Sequence, residues 1–308
     1  MDIRQLQYFR DIVAAGSFNG AANRIRISQS ALSRQIQQLE WELGVALFER
    51  HARGVHLTES GRLLSDRVEL LMRQISNMKN EIVERSRVPT GELHIGIPRS
   101  MRTLLTRPSI ERFRSAHPQV FIRYVEDSSA LVRDKLLHGD LDLGLLSTHE
   151  PATVLESRPL LSEQMFFVGP SSAGLTLDRP VELADVLGMP LITTSPPASL
   201  RVALDKAAAG MGRSFTAIAE INSSLMLEFV ADGQGYSVYS YCGIYDHIRA
   251  GRISAAPIRG FSIEWVLATS RERPLSVANS VFQDILRDVA DLQISSGAWH
   301  SGRLSQAT

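Results

Sequence analysis

Cysteine is nearly absent from this sequence: Cys242 is the only one among 308 residues. A single cysteine excludes an internal disulfide framework and a cysteine-rich metal site. No apolar run approaches the roughly 20 residues that a membrane span needs. The first residues mix charged and amide side chains with helically spaced apolar ones, unlike a signal peptide. We therefore expect a globular cytoplasmic protein.

Net charge is also absent, because 33 basic residues balance 33 acidic ones. The distribution is uneven, since residues 1–65 hold eight arginines and six acidic residues. Within them, residues 12–39 contain no Asp or Glu but three arginines, Arg24, Arg26 and Arg34. An acid-free run with three arginines suits a polyanionic partner such as nucleic acid.

Sequence motifs of enzymes are missing as well. There is no P-loop, GxGxxG motif, nucleophile elbow or HExxH motif, and the eight histidines show no metal-ligand spacing. Cys242 lies in an apolar, aromatic segment that predicts a strand, where a thiol is expected to be buried and inert. Asp140 and Asp142 are a paired-carboxylate candidate, although solvation near a turn explains them equally. We expect neither a catalytic residue nor a cofactor.

The second segment of the acid-free run has the periodicity of an amphipathic helix. Its apolar residues follow steps of four, three and four: Leu32, Ile36, Leu39 and Leu43. The other face carries groups that donate to phosphates and base edges: Ser30, Ser33, Arg34 and Gln37. Ser28 is a good N-cap, so the first turn would direct backbone N–H groups toward a phosphate. An ordinary amphipathic helix with a solvated face is the alternative.

Two shorter helices are predicted before this one, from the apolar stripes Leu6, Phe9 and Val13 and Phe18, Ala21, Ala22 and Ile25. The small alanines allow a close helix crossing, as a helix-turn-helix requires, and Ile27 in the turn can fill the core. After Gly44, two apolar-rich stretches flank a basic tip, which predicts a two-stranded wing. Arg53 at the tip is expected to enter the DNA minor groove, with a solvated hairpin charge as the alternative.

A long helix with a narrow apolar seam is predicted over residues 59–88. The seam residues are spaced four, three, four, three and four: Leu64, Val68, Leu71, Ile75, Met78 and Ile82. A period of about 3.5 residues is typical of a coiled coil. We therefore expect this seam to form a homodimer, which would pair two recognition helices on a two-fold DNA site. Packing of the seam against the second domain of the same chain is the alternative.

Strands and helices alternate after Gly91, which predicts an α/β region. Strands are expected at 92–97, 120–126, 141–146, 165–170, 190–194, 216–221, 236–241 and 262–269. The first three, with helices between them, have the βαβαβ order of a parallel sheet. Two α/β lobes joined by two crossing strands account best for the whole pattern. The tail after Ser295 is predicted to be flexible.

Several motifs fall in a characteristic order along the chain. They are QLQYF, GSFNGAANRIRISQSALSRQIQQLEWELGVALFER, RGVHLTESG and GELHIGIP, followed by SIERFRSAHPQVFIRYVED, LLHGDLDLGLL and VADGQGYSVYSY. In this order they resemble the LysR-type transcriptional regulators, and within that family the nitrogen-assimilation-control group. The resemblance implies a winged helix-turn-helix, a dimerising linker helix and a two-lobed α/β effector domain like the periplasmic binding proteins, commonly assembled as a tetramer.

The same resemblance implies site residues. DNA contacts are expected at Gln29, Ser30, Ser33, Arg34 and, in the wing, Arg53. Effector contacts are expected between the lobes, in loops that follow strands: Arg99, Ser100, Ser129 and Thr194. The two serines would open helices and bind a small anion, with plain N-capping as the alternative. The segment Pro196-Pro197-Ala198 and Arg99 depart from the family pattern, and Arg99 beside two helix N-termini indicates an anionic effector.

These inferences give a predicted domain organisation. A DNA-binding domain spans 1–58, with its helix-turn-helix at about 18–37, and a linker helix spans 59–88. The effector domain spans 91–295, with lobe I at 91–163 and 268–295, lobe II at 164–267, and a flexible tail at 296–308. The expected partners are an interrupted palindromic operator, a small effector, further copies of the chain and, for an activator, RNA polymerase. An enzyme and an exported solute-binding protein are the alternatives.

Overall fold

The computed structural model describes residues 1–51, 54–83, 89–147, 155–222, 224–271, 273 and 275–305. Side chains are described in these ranges except at positions 50, 51, 54, 73 and 76–83. The chain divides into two compact units, Met1–Arg85 and Ser86–Thr308. Each unit has a hydrophobic core of its own.

Three capped helices open the N-terminal unit: α1 (Ile3–Ala15), α2 (Phe18–Ile25) and α3 (Gln29–Leu43). The side chain directly before each helix accepts a backbone N–H of its first turn: Asp2, Ser17 and Ser28. Gly16 and Gly44 end α1 and α3 with positive φ, which glycine adopts without steric cost. Local capping therefore fixes where all three helices begin and where two of them end.

The predicted apolar stripes form the core of this unit. Its buried members from the three helices are Leu6, Phe9, Ile12, Phe18, Ala21, Ala22, Leu32, Ile36 and Leu39. One detail of the prediction is wrong. Leu43 at the end of α3 is 38% exposed, because the stripe leaves the core in the last turn. Val13 is partly buried and packs against this core, next to the fully buried Ile12.

A two-stranded wing follows α3, as predicted. Strands β1 (Phe48–His51) and β2 (Gly54–Leu57) pair antiparallel, with Phe48 opposite Leu57. The Glu40 carboxylate in α3 accepts the backbone N–H groups of Leu47 at 2.7 Å and Phe48 at 3.2 Å. These two hydrogen bonds hold the base of the wing against α3. Arg53, the predicted tip residue, lies outside the described residues.

Helix α4 (Glu59–Val83) packs part of its seam on its own unit. Val68 and Met72 are buried in the α1–α3 core, and Leu64 and Ile75 pack against that core. The prediction that Val68 faces a partner helix is therefore wrong, because the core of its own unit covers it, whereas Leu64 and Ile75 are only partly covered. At the start of α4, Gly61 passes so close to the Leu47 carbonyl oxygen that a Cβ at this position would collide with it.

The solvent side of α4 has its own apolar residues. Leu71, which belongs to the predicted seam, is 38% exposed, and Leu63, which does not, is 63% exposed. The side chains of the other two seam residues, Met78 and Ile82, lie outside those that the structure describes. The described part of α4 therefore exposes one apolar residue of the predicted seam and one outside it.

The first lobe of the C-terminal unit has the predicted parallel βαβαβ order. Its strands are β3 (Gly91–Gly96), β4 (Val120–Val125) and β5 (Leu143–Ser147), and β3 pairs parallel with both others. A 3₁₀ turn (Arg99–Met101) and a π-helix (Arg102–Thr106) lead into α5 (Arg107–Ala116). Helix α6 (Ser129–His138) connects β4 to β5.

The second lobe lies between two long strands in the sequence, β6 (Leu155–Pro170) and β10 (Ile253–Ser270). Its elements in chain order are α7 (Leu183–Val186), β7 (Leu191–Thr193), α8 (Ser199–Gly210), β8 (Ala217–Glu220), α9 (Leu225–Ala231), β9 (Ser237–Ser240) and α10 (Tyr241–Arg249). Strands β7 and β8 pair parallel.

Strands β6 and β10 are the two crossing strands that the sequence predicted. They pair antiparallel along most of their length. Toward the first lobe β10 pairs with β5, and toward the second lobe β6 pairs with β9. One continuous sheet therefore passes through both lobes, and the crossing strands are longer than the sequence indicated.

The C-terminal segment corrects the prediction of a flexible tail. After α11 (Val277–Ser295), strand β11 (Gly302–Leu304) pairs antiparallel with β6. Trp299 is 1% exposed and belongs to the main core of the unit. The buried indole of Trp299 holds residues 296–305 against the crossing strands. The polar composition of the tail does not indicate this packing.

Candidate functional sites

The first candidate site is the solvent face of α3. Gln29, Ser30, Arg34 and Gln37 are exposed and Ser33 is half-buried, while the opposite face is in the core. The Ser28 hydroxyl accepts the backbone N–H of Ala31 at 3.2 Å. The first turn of α3 thus begins at the surface, beside these polar side chains, where backbone N–H groups attract a phosphate.

The arginines in and near α3 differ in whether they form ion pairs. Arg24 forms an ion pair with Asp11, with its Nη2 3.1 Å from Oδ1. Arg34 forms no ion pair with any described residue, and Arg26 is exposed with φ of 60°. The guanidinium of Arg34 therefore remains uncompensated on a face that has no acidic side chain from residue 12 to residue 39.

The second candidate site is in the first lobe, where β3, β4 and β5 end at the same edge of the sheet. The Ser129 hydroxyl accepts hydrogen bonds from the backbone N–H and the hydroxyl of Ser147, both at 3.1 Å. Ser128, and not Ser129, caps α6 through the N–H of Leu131. Ser100 lies within a 3₁₀ turn that no side chain caps. The N-capping interpretation is therefore wrong for both predicted serines.

Arg99 reaches from the first lobe toward the second. Its Nη1 donates to the hydroxyl of Ser224 at 3.4 Å, and its Nε lies 3.5 Å from the Glu126 carboxylate. Arg102 holds the same carboxylate more tightly, with its Nε and Nη2 at 2.6 and 2.5 Å. This hydrogen-bonded pairing with Arg102 lowers the pKa of Glu126. Two guanidinium groups therefore share one carboxylate at this edge.

The facing loops of the second lobe contain Thr194. Its hydroxyl oxygen is buried without a hydrogen-bond partner in the part of the chain that the structure describes. The next residue, Ser195, donates its backbone N–H to the Asn222 side chain at 2.9 Å. Arg201 pairs with Asp205 at 3.0 Å and Glu220 at 2.5 Å. A buried unpaired hydroxyl is costly in a folded protein, and Thr106, Ser109 and Ser301 share this feature in the described part of the chain.

Several residues of this cleft were not predicted from the sequence: Arg102, Glu126, Ser147, Asn222 and Ser224. Their long-range hydrogen bonds span 18 to 125 positions of the chain, which no periodic pattern encodes. The one usable signal was topological. Asn222 and Ser147 both lie at the carboxyl ends of strands, where side chains of an α/β sheet meet a ligand.

Neither a metal centre nor a membrane segment is found in the described ranges. No group of three or more His, Cys, Asp or Glu there could hold a metal ion, and none of the helices there is long and apolar enough to cross a membrane. Cys242 is buried as expected, but it lies in α10 and not in a strand. Burial raises the pKa of its thiol well above the ordinary value.

Comparison with known families gives a consistent result for both units. Residues 3–62 match the family "Bacterial regulatory helix-turn-helix protein, lysR family", and residues 86–291 match "LysR substrate binding domain". Together these matches cover the helix-turn-helix, the wing and both lobes.

Individual relatives agree with this. The HTH-type transcriptional regulator BbuR of Bordetella bronchiseptica is 30% identical over 88% of this chain and 85% of its own. The nitrogen assimilation regulatory protein nac of Escherichia coli is 31% identical over 77% and 78%. A full-length OxyR variant from Pseudomonas aeruginosa shares the fold, with a TM-score of 0.69, 21% identity and 99% of both chains covered. The chain belongs to the LysR family of bacterial transcriptional regulators.

Proposed function

We propose that this regulator reads an operator with Gln29, Ser30, Ser33 and Arg34 of α3, assisted by Arg53 of the wing. The observation that carries the proposal is the exposed, acid-free polar face of α3, opposite a face that is buried in the core. A helix with this division can enter the major groove while the rest of the unit stays folded. Side-chain amides, hydroxyls and a guanidinium then face base edges and phosphates.

Replacing Arg34 by alanine tests this role. We expect operator affinity to fall by about 1 to 3 kcal/mol and sequence preference to relax, because an arginine that reads guanine contributes that much discrimination. Arg24→Ala is the matched control, since Arg24 is paired with Asp11. Fluorescence anisotropy on operator and random duplexes measures both. Equal losses on the two duplexes would assign Arg34 to phosphate, and unchanged binding to both would remove it from the interface.

We also propose that a small anionic effector binds between the lobes, near Arg99, Ser100, Ser129 and Thr194. Arg99 supports this because it is exposed and only weakly held by Glu126, which Arg102 already neutralises. Ser129 accepts two hydrogen bonds from Ser147, so its own proton is directed to a further acceptor. An anionic oxygen is the acceptor that a guanidinium and a hydroxyl proton share best.

A double variant, Ser100→Ala with Ser129→Ala, tests the effector site. We expect it to bind its operator as the wild type does, since both serines lie outside the N-terminal unit. Transcription from the target promoter should no longer respond to the inducing metabolite. A normal response would place the ligand elsewhere. Loss of operator binding would show that the serines serve the fold.

We propose a homodimer, and a dimer of such dimers, that uses the exposed apolar side of α4. Leu63 and Leu71 support this, because they remain at the surface when Val68 and Met72 enter the core. A two-fold pair of recognition helices matches an interrupted palindrome. Such a regulator acts where the chromosome is, in the cytoplasm, contacts RNA polymerase if it activates, and needs no catalytic residue or cofactor.

A further inference from the structure

Glu163 is a fully buried carboxylate at the junction of the lobes. It lies in the crossing strand β6, opposite Ile263 of β10 and Gly302 of β11. Its Oε2 accepts the indole N–H of Trp265 at 3.0 Å. Its Oε1 accepts the indole N–H of Trp299 at 2.9 Å and the backbone N–H of Cys242 at 2.9 Å. One side chain therefore joins both crossing strands, α10 and the C-terminal segment.

Every one of these partners is a donor. An indole N–H and a backbone N–H cannot accept a hydrogen bond, and Cys242 lies in the first turn of α10, where the helix dipole favours a negative charge. The arrangement therefore fits an ionised carboxylate. Burial opposes that charge and raises the pKa of Glu163 to about 7, although the hydrogen bonds lower it.

The far side of α10 contacts the loop that carries the proposed effector residues. The Thr103 hydroxyl donates to the Asp246 carboxylate at 2.6 Å. At Gly243, a Cβ would lie 3.2 Å from Cβ of Ser100, so the first turn of α10 lies directly against the 3₁₀ turn. A displacement of the start of α10 cannot leave residues 99–106 unchanged, because close-packed interiors transmit shifts.

We propose that Glu163 and Trp299 are positioning residues: they fix the start of α10, and α10 in turn fixes residues 99–106. The functional meaning of this coupling rests on the effector site proposed above, since Arg99 and Ser100 belong to that loop. The C-terminal segment thereby becomes part of the regulatory device, and its seating on β6 sets the geometry that the effector meets.

Hydrogen exchange measured by mass spectrometry on the full-length chain tests the coupling. Trp299→Phe removes one N–H and keeps an aromatic ring in the core. We expect exchange in peptides from 241–249 and 99–106 to become roughly two- to tenfold faster, the factor that loss of one buried hydrogen bond gives. Trp41→Phe is the matched control, because Trp41 is 82% exposed in the other unit, and it should leave both peptides unchanged.

Faster exchange in 241–249 with wild-type exchange in 99–106 would overturn the coupling. Because no effector is added, this result is independent of whether the effector site is correct. If Trp299→Phe fails to fold, Glu163→Gln serves instead. Its amide keeps one acceptor for Cys242 and Trp299 but turns an N–H toward Trp265, so the same two peptides should exchange faster.

A pH titration of tryptophan fluorescence tests whether the Glu163 carboxylate, and not packing alone, positions these elements. In a Trp41→Phe background, both remaining tryptophans donate to Glu163, so their fluorescence should titrate with it, near pH 7. Glu163→Gln should abolish the transition. The other titratable groups nearby are Tyr241, Cys242 and Asp246 of α10 and His300 of the C-terminal segment. His300→Gln should retain the transition, and its loss there would overturn the assignment to Glu163.

Discussion

In the N-terminal unit, the guanidinium of Arg34 in the candidate site is exposed and forms no ion pair with any described residue. In the C-terminal unit, Arg102 and Arg201 are both paired with carboxylates, and Glu163 has hydrogen-bond donors on both oxygens. We attribute this difference to the two expected binding partners, DNA and a small ligand. A polyanion supplies the counter-charges itself, whereas a cleft for a small ligand has to be held in shape before the ligand arrives.

The two units also differ in how far apart their contacts lie along the chain. In the N-terminal unit, the hydrogen bonds that cap the three helices join residues three positions apart. In the C-terminal unit, Glu163 binds Trp265 and Trp299, 102 and 136 positions away. The first unit should therefore respond to local substitutions, and the second to the loss of single long-range bonds.

The largest effect is expected in the core of the N-terminal unit. Leu39→Ala should lower the free energy of unfolding of that unit by about 2 to 5 kcal/mol, because Leu39 is fully buried and a cavity remains. Leu43→Ala in the same helix is the control and should cost less than about 1 kcal/mol. Urea unfolding followed by circular dichroism measures both. The fluorescence of the buried Trp265 and Trp299 should report an unchanged C-terminal unit, and a common shift would mean that the units unfold together.

The next effect concerns Glu163 and pH. Its pKa in the folded protein is about 7, above the ordinary 4.5, so the folded state binds the proton more tightly than the unfolded state. Its contribution to stability is therefore greatest below pH 4.5 and is lost as the pH rises to about 7. We expect the wild type to lose about 2 to 3 kcal/mol relative to Glu163→Gln between pH 5 and 7.5. Parallel pH profiles of the two proteins in urea unfolding would contradict the raised pKa.

Two residues of α4 test whether the buried and the exposed sides of this helix have different roles. Val68→Ala should destabilise the N-terminal unit by about 2 kcal/mol without changing assembly, because Val68 is in its core. Leu71→Asp should leave that unit folded and weaken the dimer, because the charge would be buried against a partner helix. Light scattering together with circular dichroism separates the two results. An unchanged oligomer in Leu71→Asp would reject this side of α4 as the interface.

Much of the fold was accessible from sequence because its signals are local. Periodicity predicted the helices of the N-terminal unit, and alternation with turn residues predicted the parallel strands of the first lobe. The seam of α4 shows the limit, since periodicity identifies an apolar stripe but not what covers it. Val68 is buried in its own unit, against the prediction, and Leu64 and Ile75 pack partly against the same core.

The two candidate sites likewise differ: local sequence patterns predict one of them, and the other depends on long-range contacts. The polar face of α3 is a local pattern, so its residues were identified from sequence. The cleft was located only by topology and resemblance, and the Arg99 partners Glu126 and Ser224 required the fold. The buried indole of Trp299 was missed because a single tryptophan in a polar tail has no periodic context, and its carboxylate partner lies in another strand.

The smallest effect is expected at two matched helix caps, one in each unit. The Ser28 hydroxyl accepts the N–H of Ala31 at 3.2 Å in α3, and the Ser128 hydroxyl accepts the N–H of Leu131 at 3.4 Å in α6. Alanine at either position should cost about 1 kcal/mol of stability in its own unit. Only Ser28→Ala should also weaken operator binding, because the turn that it caps is the one proposed to face a phosphate. Anisotropy with operator DNA at fixed salt, beside urea unfolding of each variant, measures both quantities. Equal operator affinity in the two variants would show that the first turn of α3 does not contact the DNA backbone.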